Sequence, residues 1–167
     1  YAPFETVVQE AAEPHYNRGK AIEVILAPGL GAPTTQPQIQ RQPELIHGLR
    51  NLIQNAVDFA ATEIRVELSW SEDLVTVEIT DDGDGYPAQV IGRLGDPFTK
   101  GRKRNTRSER PEYDGMGLGL FIAKTLLERT RAKMTFANCG TRDPLPGAKV
   151  TVSWPFEDIA QPVDESS

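Results

Sequence analysis

Apolar side chains recur along the chain with two different periods, and each period predicts a different kind of element. Apolar residues at helical spacing predict helices over residues 4–11 and 43–60, and a third helix from 118 to about 131. Pro14 is expected to end the first helix, and Pro43 suits the first turn of the second. The second helix is apolar on one side and polar on the other, so it is predicted to cover a core.

Alternation of apolar and polar residues predicts strands between these helices. Residues 63–68 and 75–80 alternate on either side of a Ser-Glu-Asp turn, which predicts a hairpin with one face on a core. Asp81 is therefore expected at the end of a strand. Further strands are predicted over 21–26, 133–137 and 148–154.

Together these elements predict an α+β fold, a two-layer sandwich of a mixed or antiparallel sheet with helices on one face. A short extended piece at 38–41 is expected to pair with the strand at 21–26, and a short helix is expected at 87–94. Residues 1–156 are predicted to form one domain. The acidic residues 157–167 are predicted to be a disordered tail.

Composition narrows the class of protein. The 167 residues are 38% hydrophobic and 25% charged, which suits a soluble domain, and no apolar run approaches the length of a membrane span. The N-terminus is not expected to be a signal peptide, because it lacks a basic region before an apolar one. The net charge of -6 argues against a general nucleic-acid binder, and a single cysteine, Cys139, excludes an internal disulfide and suits a reducing cytoplasm.

A glycine-rich run at residues 114–120 is the first candidate for chemistry. Gly115, Gly117 and Gly119 stand at alternate positions directly before a helical pattern, so the run predicts a loop without side chains that opens into a helix. Backbone N–H groups in such a loop can bind phosphate, and the start of the helix adds partial positive charge. Glycines also serve ordinary turns and close packing, so this run alone leaves both interpretations open.

Two other segments change that balance. Residues 81–85, Asp-Asp-Gly-Asp-Gly, place a second group of acids and glycines at the end of a predicted strand. Residues 100–110 carry six positive side chains and one negative one with no apolar residue, so we expect them to be mobile unless an anion orders them. The polar side of helix 43–60 is expected to face both glycine motifs, which creates a nucleotide-sized cleft.

Four motifs in order resemble the ATP-binding catalytic domain of two-component sensor histidine kinases, within the superfamily of gyrase, Hsp90, histidine kinases and MutL. Residues 51–56 resemble its N box, 81–85 the first glycine box, 96–98 the F box and 115–120 the second glycine box. Residues 147–155 are similar to the closing strand of the family. The resemblance implies a Bergerat-type ATP-binding fold and covers nearly the whole chain.

The resemblance assigns roles to residues of the first two boxes. It implies that Asn55 is a ligand of Mg2+ and that Asn51 lies beside the phosphates of ATP. Asp81 would accept a hydrogen bond from the exocyclic amine of adenine, where guanine presents a carbonyl oxygen, and Gly83 and Gly85 would let the base lie against the backbone. Alternatively, the asparagines occupy a solvated helix face and the Asp-Gly motif is an ordinary turn.

The other two boxes frame the basic segment, which the resemblance implies is a lid over the nucleotide. Phe98 resembles the aromatic residue at the base of the lid, and the lid cations would reach the phosphates. A core position for Phe98, and a solvated loop or docking surface for the lid, are the alternatives. The remaining nucleotide-binding residues implied are Lys100, Arg102, Arg104, Gly115, Gly117, Leu118 and Gly119.

The resemblance also implies a reaction. In superfamily members that hydrolyse ATP or phosphorylate serine, a glutamate one turn before the metal-binding asparagine acts as the base. This chain has Asn51 there, and an amide cannot accept a proton at neutral pH. The implied reaction is transfer of the γ-phosphoryl group of ATP to a histidine, and no side chain of this domain is assigned as catalytic. Neither His15 nor His47 is followed by the acid and proline of the family's acceptor histidine.

The chain is therefore interpreted as a catalytic fragment whose acceptor lies on a separate dimerisation domain. The full-length protein is expected to be a homodimeric, membrane-anchored sensor with this domain in the cytoplasm, a response regulator as its indirect partner and no nucleic-acid partner. The alternatives are an ATPase or serine kinase of the same fold, and a non-catalytic nucleotide-sensing module.

Within the histidine kinases, residues 102–113 and 115–129 look similar to the redox-responding RegB/PrrB sensors. Two positions depart from the family pattern. Asp58 stands where a basic residue commonly touches phosphate, and it is expected to repel the nucleotide or to pair with a lid arginine. Ala148 replaces the usual threonine and removes a hydroxyl near the adenine. Both changes would weaken nucleotide binding.

Overall fold

Two sheets and a layer of helices make up the protein in the computed structural model, which describes residues 1–87, 91 and 112–162. The elements run along the chain in the following order: β1 (Ala2–Pro3), α1 (Phe4–Ala12), a 3-10 turn (Glu13–His15), β2 (Ala21–Leu26), β3 (Gln38–Ile39), α2 (Pro43–Phe59), β4 (Glu63–Trp70), β5 (Leu74–Asp81), α3 (Glu112–Glu128), β6 (Lys133–Asn138), β7 (Ala148–Pro155), α4 (Phe156–Ile159) and β8 (Ala160–Gln161).

The larger sheet has five strands in the order β2-β4-β5-β7-β6. Strand β2 runs parallel to β4, and the other neighbours are antiparallel, so the sheet is mixed as predicted. Alternate side chains along β4, β5 and β7 are buried, and the residues between them are polar and only partly buried. The helices therefore cover one face of this sheet, and the predicted two-layer α+β fold is confirmed.

Pairing register aligns the apolar positions of the central strands. Val77 of β5 stands between Leu68 of β4 and Val152 of β7, and all three side chains are fully buried. Helix α2 adds its apolar stripe to this core, and α3 packs closely on α2. A Cβ placed on Gly48 would lie 2.4 Å from Cγ of Leu127, so a glycine lets the two helices approach.

The smaller sheet corrects a predicted pairing. Strand β3 lies between β1 and β8 in an antiparallel sheet, so residues 38–39 do not pair with the strand at 21–26. β2 is the outer strand of the larger sheet, and β3 instead uses both of its edges to pair with β1 and β8. Gln40 N donates to the Ile159 carbonyl oxygen at 2.8 Å, which holds the C-terminal segment in place.

The acidic C-terminal segment also differs from its prediction. Residues 157–161 were predicted to be disordered with the rest of the tail, but they complete α4 and β8. Ile159 is 1% exposed and Ala160 is also buried, and their burial together with the pairing of β8 and β3 anchors a segment whose composition alone favours solvent. Residues 163–167 lie outside the described residues.

Helix α3 begins earlier than predicted. The glycine-rich run was predicted to be a loop before a helix at Leu118, but α3 starts at Glu112 and includes all three glycines. Each glycine costs about 1 kcal/mol relative to alanine, but extension of an existing helix avoids nucleation, which is the most unfavourable step of helix formation. The anchored half of α3, with Leu120, Ala123 and Leu127 fully buried, supplies that nucleus.

Several predictions fall outside the described residues. One is the short helix at 87–94, of which only residues 87 and 91 are described. The others are the F-box and lid residues Phe98, Lys100, Arg102 and Arg104. These remain predictions.

Trp154 and Thr130 form a buried polar link between β7 and the end of α3, and they provide a test of the core. The indole N–H of Trp154 donates to Thr130 Oγ at 2.8 Å, and that hydroxyl donates to the Leu127 carbonyl oxygen at 2.6 Å. Thr130→Val should lower the free energy of unfolding by about 1–3 kcal/mol, because it leaves the indole N–H without an acceptor. Urea unfolding measures the change.

Thr130→Ser is the matched control, because it keeps the hydroxyl and loses only a methyl group. If the valine variant is as stable as the serine variant, the hydrogen bond does not stabilise this junction.

Candidate functional site

Helix α2 places two amides on the side of the helix that faces away from the core. Asn51 and Asn55 lie one turn apart and are half-buried, whereas Leu52 and Ile53 between them are buried in the core. This arrangement follows from the 3.6-residue period of the helix, and it confirms the predicted polar face. His47, one turn before Asn51, is exposed.

Strand β5 ends at Asp81, and the carboxylate of this residue is 4% exposed. Its Oδ1 accepts hydrogen bonds from the backbone N–H groups of Gly83 at 2.9 Å and Ala148 at 3.1 Å. The carbonyl oxygen of Asp81 accepts a third bond from Gly147 N at 2.8 Å. Among the described residues, both backbone N–H groups that bind this carboxylate donate to Oδ1. Oδ2 can therefore accept a hydrogen bond from a ligand.

Burial raises the pKa of the Asp81 carboxyl above its ordinary value, and the hydrogen bonds from Gly83 and Ala148 oppose that effect. A buried carboxylate loses solvation, so a further donor from a bound molecule would stabilise its charged form. The site is thus suited to a neutral N–H donor that is itself withdrawn from water.

Glycines are required around Asp81 because the backbone segments pack against one another. A Cβ on Gly147 would lie 2.2 Å from Asp81 Oδ1, and a Cβ on Gly83 would lie 2.1 Å from the Phe59 carbonyl oxygen. Gly85 has φ +81°, a conformation that other residues rarely adopt. The contact at Phe59 joins the Asp81 turn to the last residue of α2, so Asp81 and the two asparagines belong to one region of the structure.

Two residues that position this turn were not found by sequence reasoning. The side chain of Asn138 forms paired hydrogen bonds with the backbone of Tyr86, from Tyr86 N at 2.6 Å and to the Tyr86 carbonyl oxygen at 2.9 Å. The buried Tyr86 ring contacts Phe136 edge to face, with 6.3 Å between centroids. An asparagine at a strand end is common before turns, so the sequence contained no specific signal for this role.

Asp82 is a third positioning residue. Its carboxylate accepts hydrogen bonds from the backbone N–H groups of Ala61, Thr62 and Glu63 and from the Thr62 hydroxyl, and so ties the turn after α2 to the turn after β5. Burial opposes ionisation, but the hydrogen bonds outweigh it and lower the pKa of Asp82 to about 2. An Asp-Asp-Gly motif indicates a turn and does not reveal what the second carboxylate contacts.

Two departures from the family pattern have described contacts. Asp58 pairs with Arg18, whose Nη2 lies 2.5 Å from Asp58 Oδ1, whereas the lid arginines of the prediction lie outside the described residues. Ala148 contributes its backbone N–H to Asp81, and this contact does not depend on a side-chain hydroxyl. The glycines of the second box begin α3, and the far half of that helix packs beside Gly48 of α2.

Cys139 has the character of a structural thiol. Its Sγ is 3.5 Å from the Ala148 carbonyl oxygen, and burial, with Asp143 and Asp81 nearby, raises the pKa of the thiol to about 11. A thiol with that pKa is protonated at neutral pH and is a poor nucleophile.

Comparison with known proteins identifies the class to which this fold and site belong. Residues 40–158 match the family described as histidine kinase-, DNA gyrase B-, and HSP90-like ATPase, so the chain belongs to that family. The matched segment contains α2, the Asp81 turn and α3, which are the elements that build the site.

Individual relatives narrow the class further. The sensor histidine kinase RegB of Cereibacter sphaeroides is 51% identical, over 95% of this chain and 36% of the relative. A solved mycobacterial sensor histidine kinase, MprB, has a TM-score of 0.67 at 19% identity and covers 97% of each chain. Full-length ShkA in complex with AMPPNP has a TM-score of 0.66 at 22% identity, over 98% of this chain and 32% of that one.

These comparisons confirm the resemblance to ATP-binding catalytic domains of two-component sensor histidine kinases, including the RegB type. The chain spans 36% of the length of RegB. In the part of the chain that the structure describes, no helix is both long and apolar enough to cross a membrane.

Close packing at Gly147 leads to a prediction about the integrity of the site. Gly147→Ala should lower the free energy of unfolding by about 1–3 kcal/mol, because the added Cβ would overlap the Asp81 carboxylate and the backbone around it. Thermal unfolding measures the loss. Gly140→Ala in the same loop is the control, since its Cβ would meet only Asp143 Oδ2, at 3.8 Å, and a comparable loss in both variants would contradict the prediction.

The pKa of Asp82 leads to a prediction about pH. Because this pKa is lowered from 3.8 to about 2 in the folded protein, ionised Asp82 contributes stability above pH 3.8, and that contribution is lost as pH falls toward 2. Asp82→Asn should therefore be less stable than the parent at neutral pH, and the difference should shrink across that window. Urea unfolding at a series of pH values measures it.

Asp73→Asn makes the same charge change at the opposite end of the β4–β5 hairpin. If the two variants show the same pH dependence, the hydrogen bonds of Asp82 do not account for the effect.

Proposed function

We propose that this domain binds Mg-ATP and donates the γ-phosphoryl group to a histidine on a separate dimerisation domain, as part of a two-component sensor kinase. The observation that carries the proposal is the buried Asp81 carboxylate, which is held by two backbone N–H groups beside the end of the helix that bears Asn51 and Asn55.

Adenine is the base that fits the Asp81 position. Oδ2 of Asp81 can accept a hydrogen bond from an exocyclic amine, whereas a guanine carbonyl oxygen at the same place would face a carboxylate without a proton between them. Gly83 and Gly85 are assigned to the backbone against which the planar ring would lie, and their lack of side chains lets this turn pack against Phe59 and Asn138. The raised pKa of Asp81 fits an acceptor that gains from a donor removed from water.

The phosphates and the metal are assigned to the polar face of α2. The amide oxygen of Asn55 is a hard, neutral ligand that would hold Mg2+ together with phosphate oxygens and water, and Asn51 would lie beside the phosphates. Mg2+ held by Asn55 would offset negative charge on the phosphate oxygens. The half-buried position of both amides supports these roles.

The remaining phosphate contacts are assigned to the lid and the start of α3. Phe98 would mark the base of the lid, and the cations of the lid and the glycine backbone would surround the triphosphate. These residues are Lys100, Arg102, Arg104, Gly115, Gly117, Leu118 and Gly119.

Phosphoryl transfer in this domain would depend on positioning and electrostatics. Asn51 cannot remove a proton, and an attacking imidazole does not require a base on the ATP domain. The two histidines of the chain are unsuitable acceptors. His15 is 7% exposed, and burial together with Arg18 lowers its pKa, whereas His47 lies on α2 itself. The acceptor is accordingly proposed to lie in another part of the full-length protein.

We assign that full-length protein to homodimeric, membrane-anchored sensors that pass the phosphoryl group on to a response regulator, with this domain in the cytoplasm. The similarity to RegB supports this assignment.

Nucleotide binding and transfer are tested together. Asn55→Ala should weaken Mg-ATP binding at least about tenfold and should remove most of its Mg2+ dependence, because the amide oxygen completes the metal shell. Titration of the domain with a fluorescent ATP analogue, with and without Mg2+, measures both effects. Gln54→Ala changes the exposed neighbour on the same helix and should bind like the parent.

The transfer step is tested by mixing the domain with radiolabelled ATP and a separately prepared dimerisation-helix fragment of the same kinase. We expect the label on the histidine of the fragment. Steady release of labelled phosphate without labelling of the fragment would indicate an ATPase instead, and binding with neither outcome would indicate a nucleotide-sensing module.

A further inference from the structure

Arg18, in the turn between the 3-10 segment and β2, lies beside the C-terminal part of α2. Its Nη2 is 2.5 Å from Asp58 Oδ1, and its Nη1 is 3.5 Å from Nδ1 of the buried His15. The side chains of Arg18 and Asp58 are 40% and 39% exposed. Sequence reasoning assigned Arg18 no role.

Asp58 lies on the helix face that carries the two amides of the site. At about 100° per residue, it is about 20° from Asn51 and about 60° from Asn55 around the axis of α2. Residues three positions apart on a helix have Cβ atoms about 5–6 Å from each other. A carboxylate therefore stands next to the amide that is proposed to hold Mg2+ on the phosphates.

An unpaired carboxylate at this position would repel Mg-ATP, because the triphosphate carries about four negative charges and Mg2+ would offset only about two of them. The Debye length of about 8 Å exceeds the spacing of about 5–6 Å between neighbouring side chains on the helix, so salt would screen the repulsion only in part. The expected penalty is about three- to tenfold in affinity for Mg-ATP.

We propose that Arg18 is the counter-ion of Asp58 and thereby strengthens triphosphate binding on α2. The inference rests on the proposed function. Arg18 acts by neutralising the charge of Asp58 and does not itself contact the nucleotide. It is therefore a positioning residue. The family commonly has a basic residue at position 58, where this chain has an aspartate. Arg18 supplies positive charge near that position from a different element.

Lys20 brings a second cation to the same end of α2. Its Nζ donates to the Val57 carbonyl oxygen at 2.5 Å, one residue before Asp58. Its charge also favours ionisation of the buried Asp81 carboxyl. The turn between the 3-10 segment and β2 thus places two positive charges beside a helix end that carries a carboxylate.

The ion pair is exposed enough for the test variants to fold. Exposed pairs of this kind contribute little to folding stability, so a change at Arg18 should act on binding and not on the fold. The experiment compares Arg18→Ala, Asp58→Asn and the double variant by calorimetric titration with Mg-ATP and with adenosine.

Arg18→Ala should weaken Mg-ATP binding about three- to tenfold and leave adenosine binding unchanged, because adenosine carries no phosphate charge. Asp58→Asn should bind Mg-ATP as tightly as the parent or more tightly. The double variant should return to within about twofold of the parent, and the defect of Arg18→Ala should shrink in about 0.5 M salt.

Arg41→Ala is the matched control. It removes the same charge from another exposed ion pair, that of Arg41 with Glu10, before the N-terminus of α2. The 17 residues of α2 place this pair roughly 25 Å from Asp58, beyond the reach of the screened charge.

Two results would overturn the inference. One is equal Mg-ATP affinity of Arg18→Ala and Arg41→Ala. The other is a double variant that remains as weak as Arg18→Ala, which would mean that Arg18 contacts the phosphates directly or supports the site in another way. If the unsubstituted domain does not bind Mg-ATP, the proposed function itself is overturned. Titration of that domain alone distinguishes this outcome from the two results above.

Discussion

The buried carboxylate of Asp81 is the constraint on which the site depends. The register of β5 between β4 and β7 places this residue at the end of the strand. The apolar surroundings that hold the strand withdraw the carboxylate from water, which is costly unless backbone donors replace the lost solvation. Gly83 and Ala148 provide those donors, and Gly147 must lack a side chain for the three segments to meet.

Helix α2 connects this turn to the other residues of the proposed site. One side of the helix contributes apolar side chains to the core, so the position of the other side is determined by packing of the whole domain. The Phe59 carbonyl at its end lies against Gly83, and Asp82 ties the following turn to the same loop. The amides of Asn51 and Asn55 are therefore fixed relative to Asp81 by the backbone and by hydrogen bonds, which suits a site that acts by positioning.

Charge at the site is balanced between distant parts of the chain. Asp58 and Asp81 place negative charge near the proposed phosphates and base, and Arg18 and Lys20 approach from a turn that precedes β2. A domain with net charge -6 can thus accept an anionic ligand if cations are concentrated where the ligand binds. Residues 100–110 carry six positive side chains and, as the proposed lid, would add to this positive charge.

The sequence by itself determined the main helices and strands, the end of β5 at Asp81 and the family, because strong local periodicity and short motifs with fixed spacing depend on neighbouring residues only. Tertiary structure decided the pairing of β3, the order in residues 157–161, the early start of α3 and the partners of Asp58, Asp82 and Asn138. Each of these depends on contacts between segments far apart in the chain. Such contacts leave no periodic pattern in the sequence, because each involves only one or two residues. Examples are the buried side chain of Ile159 and the guanidinium of Arg18.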